Sequence, residues 1–366
     1  MITRIQAIGK FHGKELQAPC DLRFGQRQQP KWFDPFSVQL PCLDPCNPCY
    51  SYFLLRLPAQ FQDPSRVLRF AGSSLSLLAG SRAKAHSFTM TRLAALLERS
   101  VIEVGGEDRT NFLQGLLSND VTHAIPGHSV WAALLTPQGK WLADFFILAD
   151  GDRLLLDCER AQVPSLVQRL SRFRLRSRVT LRAAEELSVY AAWDGIPTAG
   201  PTAGPAIVAT DPRVPEAGWR LLAATPLPAT APEADWDRHR LALGLPDGSR
   251  DLEAEKTVLL EANFDELNGV SWTKGCYMGQ ELTARTKYRG LVKRRLVPVS
   301  VSGALPPPGT PVLRNAVDVG TMRSGRDRSG LAVLRIDALH DTLTCGGVTL
   351  TPRIPAWMVL PEVVGQ

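Results

Sequence analysis

This sequence contains no apolar run approaching the roughly 18 residues that a membrane-spanning helix requires, so no membrane partner is expected. Its first residues, Met1-Ile2-Thr3-Arg4-Ile5-Gln6, lack the apolar core and following small residues of a secretory signal. Cysteine is sparse. Of seven in 366 residues, Cys20, Cys42, Cys46 and Cys49 lie in the first quarter, and Cys158, Cys276 and Cys345 are scattered through the rest. Three such widely spaced thiols do not make a disulfide framework, which fits a reducing compartment and a cytoplasmic location. Excess positive charge is missing from most of the chain. Residues 1–89 hold 11 Lys and Arg against 5 Asp and Glu, whereas residues 90–366 hold 31 of each. The body therefore offers no general electrostatic case for nucleic-acid binding. With 44% hydrophobic and 21% charged residues, the composition is that of a globular protein long enough for two or three domains.

Residues 1–89 differ in character from the rest of the chain. They are rich in Gln, Pro, Arg and Ser and show no sustained helical or strand period, so a disordered extension, or sequence upstream of the true start at Met90, is expected. Cys42-x3-Cys46-x2-Cys49 has the spacing by which three thiolates hold a [4Fe–4S] cluster. Against that reading, Pro45 and Pro48 remove amide donors, and no repeated strand–helix pattern comes after them.

From Met90 the pattern becomes regular. An amphipathic helix is expected over 91–98, a strand over 101–104, and a helix over 109–117 capped by Asp108. Strands at 131–135 and 141–148 flank the turn Thr136-Pro137-Gln138-Gly139-Lys140. Asp144 stands between apolar residues of the second strand, either on a solvated face or buried and functional. A strand at 153–158 precedes a helix at 163–173. The arginines of 172–178 alternate as in a nucleic-acid surface, but also as in a solvated helix end; in a charge-neutral body the latter is favoured. Strands are expected at 187–193, 207–209 and 219–223, and a helix over 235–243 ends at Gly244 with Pro246 beyond. Short strands at 292–301, 311–314, 317–324, 330–336 and 349–354, separated by Gly and Pro turns, predict a small C-terminal β-barrel.

The stretch with most chemistry is Lys274-Gly275-Cys276-Tyr277-Met278-Gly279-Gln280-Glu281, continuing to Arg285. A thiol between a lysine and downstream arginines is expected to ionise more readily, because nearby positive charge favours the thiolate. Gly275 and Gly279 permit positive φ or close approach of a ligand. The competing reading is a glycine-flanked turn with a small buried cysteine.

This motif resembles the signature of the YgfZ/GcvT family of folate-binding proteins, in particular its iron–sulfur assembly branch. The resemblance extends through Gly106-x-Asp108-x3-Phe112-Leu113-Gln114-Gly115-x2-Ser118-Asn119-Asp120, Gln138-Gly139-Lys140-x3-Asp144 and Arg240-x3-Gly244-x-Pro246. It continues at Leu260-Glu261-Ala262-Asn263 and Asn268-Gly269-Val270-Ser271-Trp272, covering about 90–366. It implies an α+β fold of three sub-domains in a ring around a central folate channel, with residues 90–290 forming the folate-binding region and 291–366 the barrel. It further implies that tetrahydrofolate or a derivative is the cofactor. Asp144 would lie near the folate nitrogens, where a carboxylate can orient an amine or stabilise developing positive charge. Glu261 would hold the pterin edge by paired hydrogen bonds. Asn263, Lys274, Gly275, Tyr277, Gln280, Glu281 and Arg285 would complete the binding site.

The aminomethyltransferase branch of the family carries an acidic residue where Cys276 stands, and a thiolate there suits iron–sulfur chemistry instead. The function implied is maturation of [4Fe–4S] proteins. Cys276 would be a transient cluster ligand or redox thiol, sharing the cluster with an A-type iron–sulfur carrier because one cysteine cannot hold it alone. The alternatives are a folate-dependent aminomethyl (one-carbon) transferase using Asp144, and a tRNA-modification role exercised indirectly through iron–sulfur enzymes; Cys276 and Asp144 are the candidate catalytic residues. Direct nucleic-acid binding is not expected.

Overall fold

The structure is a computed structural model that describes residues 91–197 and 206–360, together with the strand backbones 2–11, 14–23, 37–38 and 55–56. The chain divides into two units, Met1–His86 and Ser87–Gln366. In the first, Ile2–Phe11 pairs antiparallel with Lys14–Arg23, and Ser37–Val38 with Leu55–Arg56. The long hairpin stands where the sequence shows no sustained strand period. Two residues separate its strands, a spacing hairpins favour whatever the alternation of their side chains. Cys42, Cys46 and Cys49 lie outside the described residues, as does Met90.

The second unit is a mixed α+β structure built on two five-stranded sheets and a barrel, in agreement with the expected fold class. One sheet runs in the order Thr180–Ala183, Arg99–Gly105, Arg153–Glu159, Trp141–Asp150, Val130–Leu135, all antiparallel. The other runs Arg92–Ala95, Ser188–Trp193, Trp219–Ala223, Ala206–Thr210, Gly127–His128. Residues 91–98 therefore contribute an edge strand, not the expected helix. Leu93, Ala94 and Ala95 are too short an apolar run to distinguish the two periods, and pairing with Tyr190–Trp193 decides for the strand.

Strand periodicity sorts the side chains of the first sheet into two cores. Val130, Ala132, Leu134, Phe145 and Ile147 pack with helix α1 (Arg109–Gln114) and helix α2 (Val163–Arg174). Trp131, Ala133, Leu135, Phe146 and Leu148 point the other way, into a core shared with Ala191, Trp193, Ala209 and Leu222 of the second sheet. α1 is shorter than expected. Asp108 makes no capping bond to it; its carboxylate instead accepts from the Arg178 amide at 2.7 Å. Helix α3 (Glu233–Leu243) ends at Gly244 in the left-handed conformation, φ +78°, as its sequence indicates.

The barrel closes in the order Arg294–Val301, Ser329–Arg335, Val317–Arg326, Pro311–Arg314, Leu343–Cys345, Val348–Pro352. The three-residue strand Leu343–Cys345 departs from expectation; it is too short to show a period, yet closure depends on it. Two buried arginines bind the barrel to helix α3 and to the loops that follow it. Arg240 donates to Asp237, to Asp251 at 2.9 Å and to Ser324 of the barrel at 2.8 Å. Arg295 donates to both carboxylate oxygens of Glu266, to the Leu260 carbonyl at 2.9 Å and to the Val359 carbonyl at 2.8 Å.

Candidate functional site

The Lys274–Glu281 motif is held by backbone groups far away in sequence. The Lys274 ammonium donates to the carbonyls of Leu117 at 2.8 Å and Asn119 at 2.6 Å. The Met278 amide donates to Gly115 O at 3.1 Å, and the Ser271 amide to Ser118 O at 3.1 Å. Ser118 Oγ and Asn119 Nδ2 return bonds to the carbonyls of Gly269 and Asn268, each at 2.7 Å. Residues 115–119 thus form a cradle for 268–278. Burial of the Lys274 ammonium lowers its pKa to about 8, opposed only by the charge of Asp120.

A second brace comes from the hairpin turn. Gly279 has φ +81°, and a Cβ there would lie 2.6 Å from Thr136 O and 2.9 Å from Gly139. Gly139, φ +78°, is in turn closed in by Gly279 O and Leu282. Each glycine is required by the other's approach. Gly275 differs: its φ is ordinary and a Cβ would meet nothing within 4 Å, so it leaves open space beside Cys276. From Gly279 the chain enters helix α4 (Gln280–Tyr288), which local sequence pattern does not separate from the turn.

Cys276 is exposed, whereas Cys158 and Cys345 are buried. This excludes the buried turn-filler reading. Burial raises the pKa of the Cys158 thiol far above its ordinary range. Tyr277 is buried beneath the motif and Thr283 faces its hydroxyl. Neither hydroxyl closes a hydrogen bond of normal geometry, and burial pushes the phenol up to about 12. Gln280 is half-buried, while Glu281 and Arg285 are exposed on α4.

Asp144 lies elsewhere, on the inter-sheet face of its strand beside Phe146. It is 6% exposed, and one oxygen accepts from Trp131 Nε1 at 3.0 Å while the other has no donor. Burial raises its pKa, against the Arg99 charge and the Trp131 bond. Around Phe146 stand three guanidinium groups, those of Arg220 at 4.0 Å, Arg213 at 4.8 Å and Arg99 at 5.6 Å from the ring centre. Arg213 makes a two-pronged pair with Asp211, and Arg99 binds Asp157. Arg220 is the exception. It is 2% exposed, its nearest carboxylates, Asp157 and Asp211, are at 3.6 Å, and burial lowers its pKa to about 10. Sequence reasoning misses this cluster. Its only signal is charge at Asp211, Arg213 and Arg220 within an otherwise apolar, loop-rich stretch.

The predicted site residues are therefore not one constellation. Lys274, Gly275, Cys276, Tyr277, Gln280, Glu281 and Arg285 come together at the motif. Asp144 belongs to the inter-sheet cluster, and no described hydrogen bond or ion pair joins it to Cys276. Glu261 is half-buried, and the charges that act on it are those of Arg294, Lys140 and Arg295, opposing a pKa raised by burial. Asn263 takes a structural role in place of the expected ligand contact. It is fully buried at φ +64°, its amide donates to Leu296 O at 2.7 Å, and its carbonyl accepts from Arg295 at 3.2 Å. Among the described residues no group of three or more His, Cys, Asp or Glu could hold a metal ion.

Comparison with known proteins places this arrangement. The chain is 32% identical over 319 residues to the mitochondrial iron–sulfur cluster assembly factor IBA57 of Mus musculus, covering 77% of this chain and 88% of that protein. With the Homo sapiens protein of the same name it is 34% identical over 295 residues, covering 71% and 83%. The chain belongs to the IBA57 family. Residues 293–360 match the C-terminal beta-barrel domain family of CAF17, in accord with the closed barrel. The glycine cleavage system aminomethyltransferase T of Bartonella henselae shares the fold, with a TM-score of 0.58 at 15% identity over 75% of this chain and 88% of that one. These IBA57 relatives are mitochondrial, which gives no support to the expected cytoplasmic location. No described helix is long and apolar enough to cross a membrane.

Proposed function

We propose that this IBA57-family protein takes part in maturation of [4Fe–4S] proteins as a folate-binding factor, with Cys276 as the thiolate through which it meets the cluster. The observation that carries the reading is the contrast among the described cysteines. Cys158 and Cys345 are sealed in cores, whereas Cys276 is presented to solvent on a loop braced at both ends. The cluster is cargo, not a resident group. One thiolate leaves its remaining positions to ligands from elsewhere, so the reading requires a partner, and an A-type iron–sulfur carrier supplies suitable thiolates. Cys276→Ser is expected to retain the fold and fail to restore an iron–sulfur defect in cells lacking the protein. Full restoration by this variant would sink the cysteine's role.

Several residues fit a reduced folate. One Asp144 oxygen is a buried acceptor without a donor, and Trp141 Nε1 is a buried donor without an acceptor. Glu261 makes no described side-chain hydrogen bond and is free to accept paired pterin N–H groups. When bound, the folate would supply a nitrogen able to carry a one-carbon unit. Asp144 would accept hydrogen bonds at the inter-sheet face and hold or release a proton there, while Trp131 fixes its orientation.

The same carboxylate favours a second reading, a folate-dependent aminomethyl transferase, because Asp144 is buried with a raised pKa in a fold shared with an aminomethyltransferase. In an assay with an aminomethylated lipoyl carrier protein and tetrahydrofolate, this reading expects turnover that Asp144→Asn abolishes. No turnover by the wild-type chain leaves the assembly role alone. An effect on tRNA modification would arise indirectly, through iron–sulfur enzymes that depend on the matured cluster.

A further inference from the structure

Most arginines of the body are spent on carboxylates. Arg182 bridges Glu103 and Glu186, Arg238 bridges Asp235 and Asp327, and Arg314 bridges Asp337 and Asp341. The segment leading away from Cys276 departs from this habit. Arg285, Arg289 and Lys293 are all exposed, and no described carboxylate lies within ion-pair distance of any of them.

Helix geometry gathers these groups. Thr283 and Thr286 of α4 are buried, while Glu281, Arg285 and Tyr288 are exposed, with Arg289 just past the helix end. Spacings of four, seven and eight residues put them on one outward face. The helix starts four residues after Cys276, and the face extends roughly 10 Å from Glu281 to Tyr288 at about 1.5 Å per residue. It finishes in two exposed apolar side chains, Tyr288 at 75% and Leu291 at 46%. Tyr288 has an aromatic neighbour. Its ring meets Trp272 edge-on, with 6.1 Å between centroids. Trp272 is itself fixed by a bond to Asp265 at 2.7 Å and by the Lys287 ammonium 4.2 Å from its ring centre. An exposed aromatic with unpaired cations around it has the anatomy of an interface anchor and its rim.

We propose that the outward face of α4 and the residues after it, comprising Arg285, Tyr288, Arg289, Leu291 and Lys293, is a docking surface for the cluster carrier, whose own contact face is acidic around an apolar centre. Three free cations complement carboxylates and steer encounter, Tyr288 and Leu291 supply the desolvated contact, and docking here sets the partner's thiolates beside Cys276. A protein partner fits better than RNA. The face offers one tyrosine and an aliphatic side chain instead of a row of stacking rings, and it includes Glu281. The inference rests on the proposed role in iron–sulfur maturation.

The test is calorimetric titration of the full chain with a purified apo A-type carrier at about 50 and about 200 mM salt. Reversing Arg285, Arg289 and Lys293 to Glu is expected to weaken Kd at least tenfold and remove most of its salt dependence. Tyr288→Ala with Leu291→Ala should weaken it comparably while the salt dependence persists. Changing the same three cations to Gln repeats the measurement should the reversal lower Tm. Arg172→Glu with Arg176→Glu, exposed cations on another element, should leave Kd unchanged. The docking surface is overturned if the reversed variant binds like the wild type. It is equally overturned if the Arg172 and Arg176 pair weakens binding as much, or if the wild-type chain prefers single-stranded RNA to the carrier. Failure of the wild-type chain to bind the carrier at all would instead count against the proposed function, and the docking surface would fall with it.

Discussion

The two candidate sites of this protein are built on opposite principles. The Cys276 motif is a surface loop whose position comes from backbone carbonyls and two interlocked glycines, with a single buried charge, Lys274. The Asp144 cluster is a buried assembly of arginines and aspartates between sheets, wrapped around one phenylalanine. The first can present a reactive atom to a large partner while its supports stay hidden. The second is closed off from solvent, and every charge in it depends on the others. An exposed thiol and a buried carboxylate thus stand in different surroundings, and the chain keeps them apart.

The largest effect expected from disturbing this contrast is at the cluster. Asp211→Ala would strand Arg213 and withdraw a counter-charge from the underpaired Arg220. A loss of about 3–5 kcal/mol is expected in urea unfolding, as for other broken buried ion pairs. A loss under about 1 kcal/mol would mean that water already screens the cluster.

A smaller effect, with a distinctive pH signature, is expected at the motif. Lys274 has a folded-state pKa of about 8 against an ordinary 10.5. Between these values the unfolded chain binds the extra proton, so stability rises with pH across this window and is lost again as pH falls through about 8. Lys274→Met should abolish that rise, measured by denaturant unfolding at several pH values. It should also cost about 1–3 kcal/mol by leaving two buried carbonyls without a donor.

The smallest effect on stability belongs to the thiol. Cys276→Ser should stay within about 0.5 kcal/mol of the parent, because the side chain is exposed. Its accessibility should nonetheless be plain in native-state alkylation with peptide mass spectrometry as the readout. Cys276 is expected to label well before Cys158 and Cys345, and equal labelling of the three would erase the distinction between presented and buried thiols.

Much of the architecture is legible in the sequence because it rests on local pattern. The Trp131 and Trp141 strands, helix α2, the Gly244 stop and five of the six barrel strands arise from periodicity and turn residues. The elements that are not legible depend on tertiary partners. The strand at 92–95 is a strand because Tyr190–Trp193 lies beside it, and Leu343–Cys345 is one because the barrel must close. The motif stands out in sequence, since a thiol, glycines and cations crowd into a few residues. The inter-sheet cluster does not, because Arg99, Asp157 and the Asp211–Arg220 segment lie far apart along the chain and meet only when the sheets stack. Asn263 illustrates the converse error. It belongs to a conspicuous motif, but the fold uses it to tie a loop to the barrel.

The bonds from Lys274 to the carbonyls of Leu117 and Asn119 span 157 and 155 residues of chain. Contacts of that separation close late in folding, after much loop entropy has been lost. The presentation of Cys276 is therefore a property of the finished molecule. A chain emerging during synthesis, or one truncated before the motif, has the cradle without its lysine, and a misfolded chain has the thiol without its setting. Built this way, the protein sets the Cys276 thiol in place only once the rest of the body has folded, so that completion of the fold is the condition for its presentation.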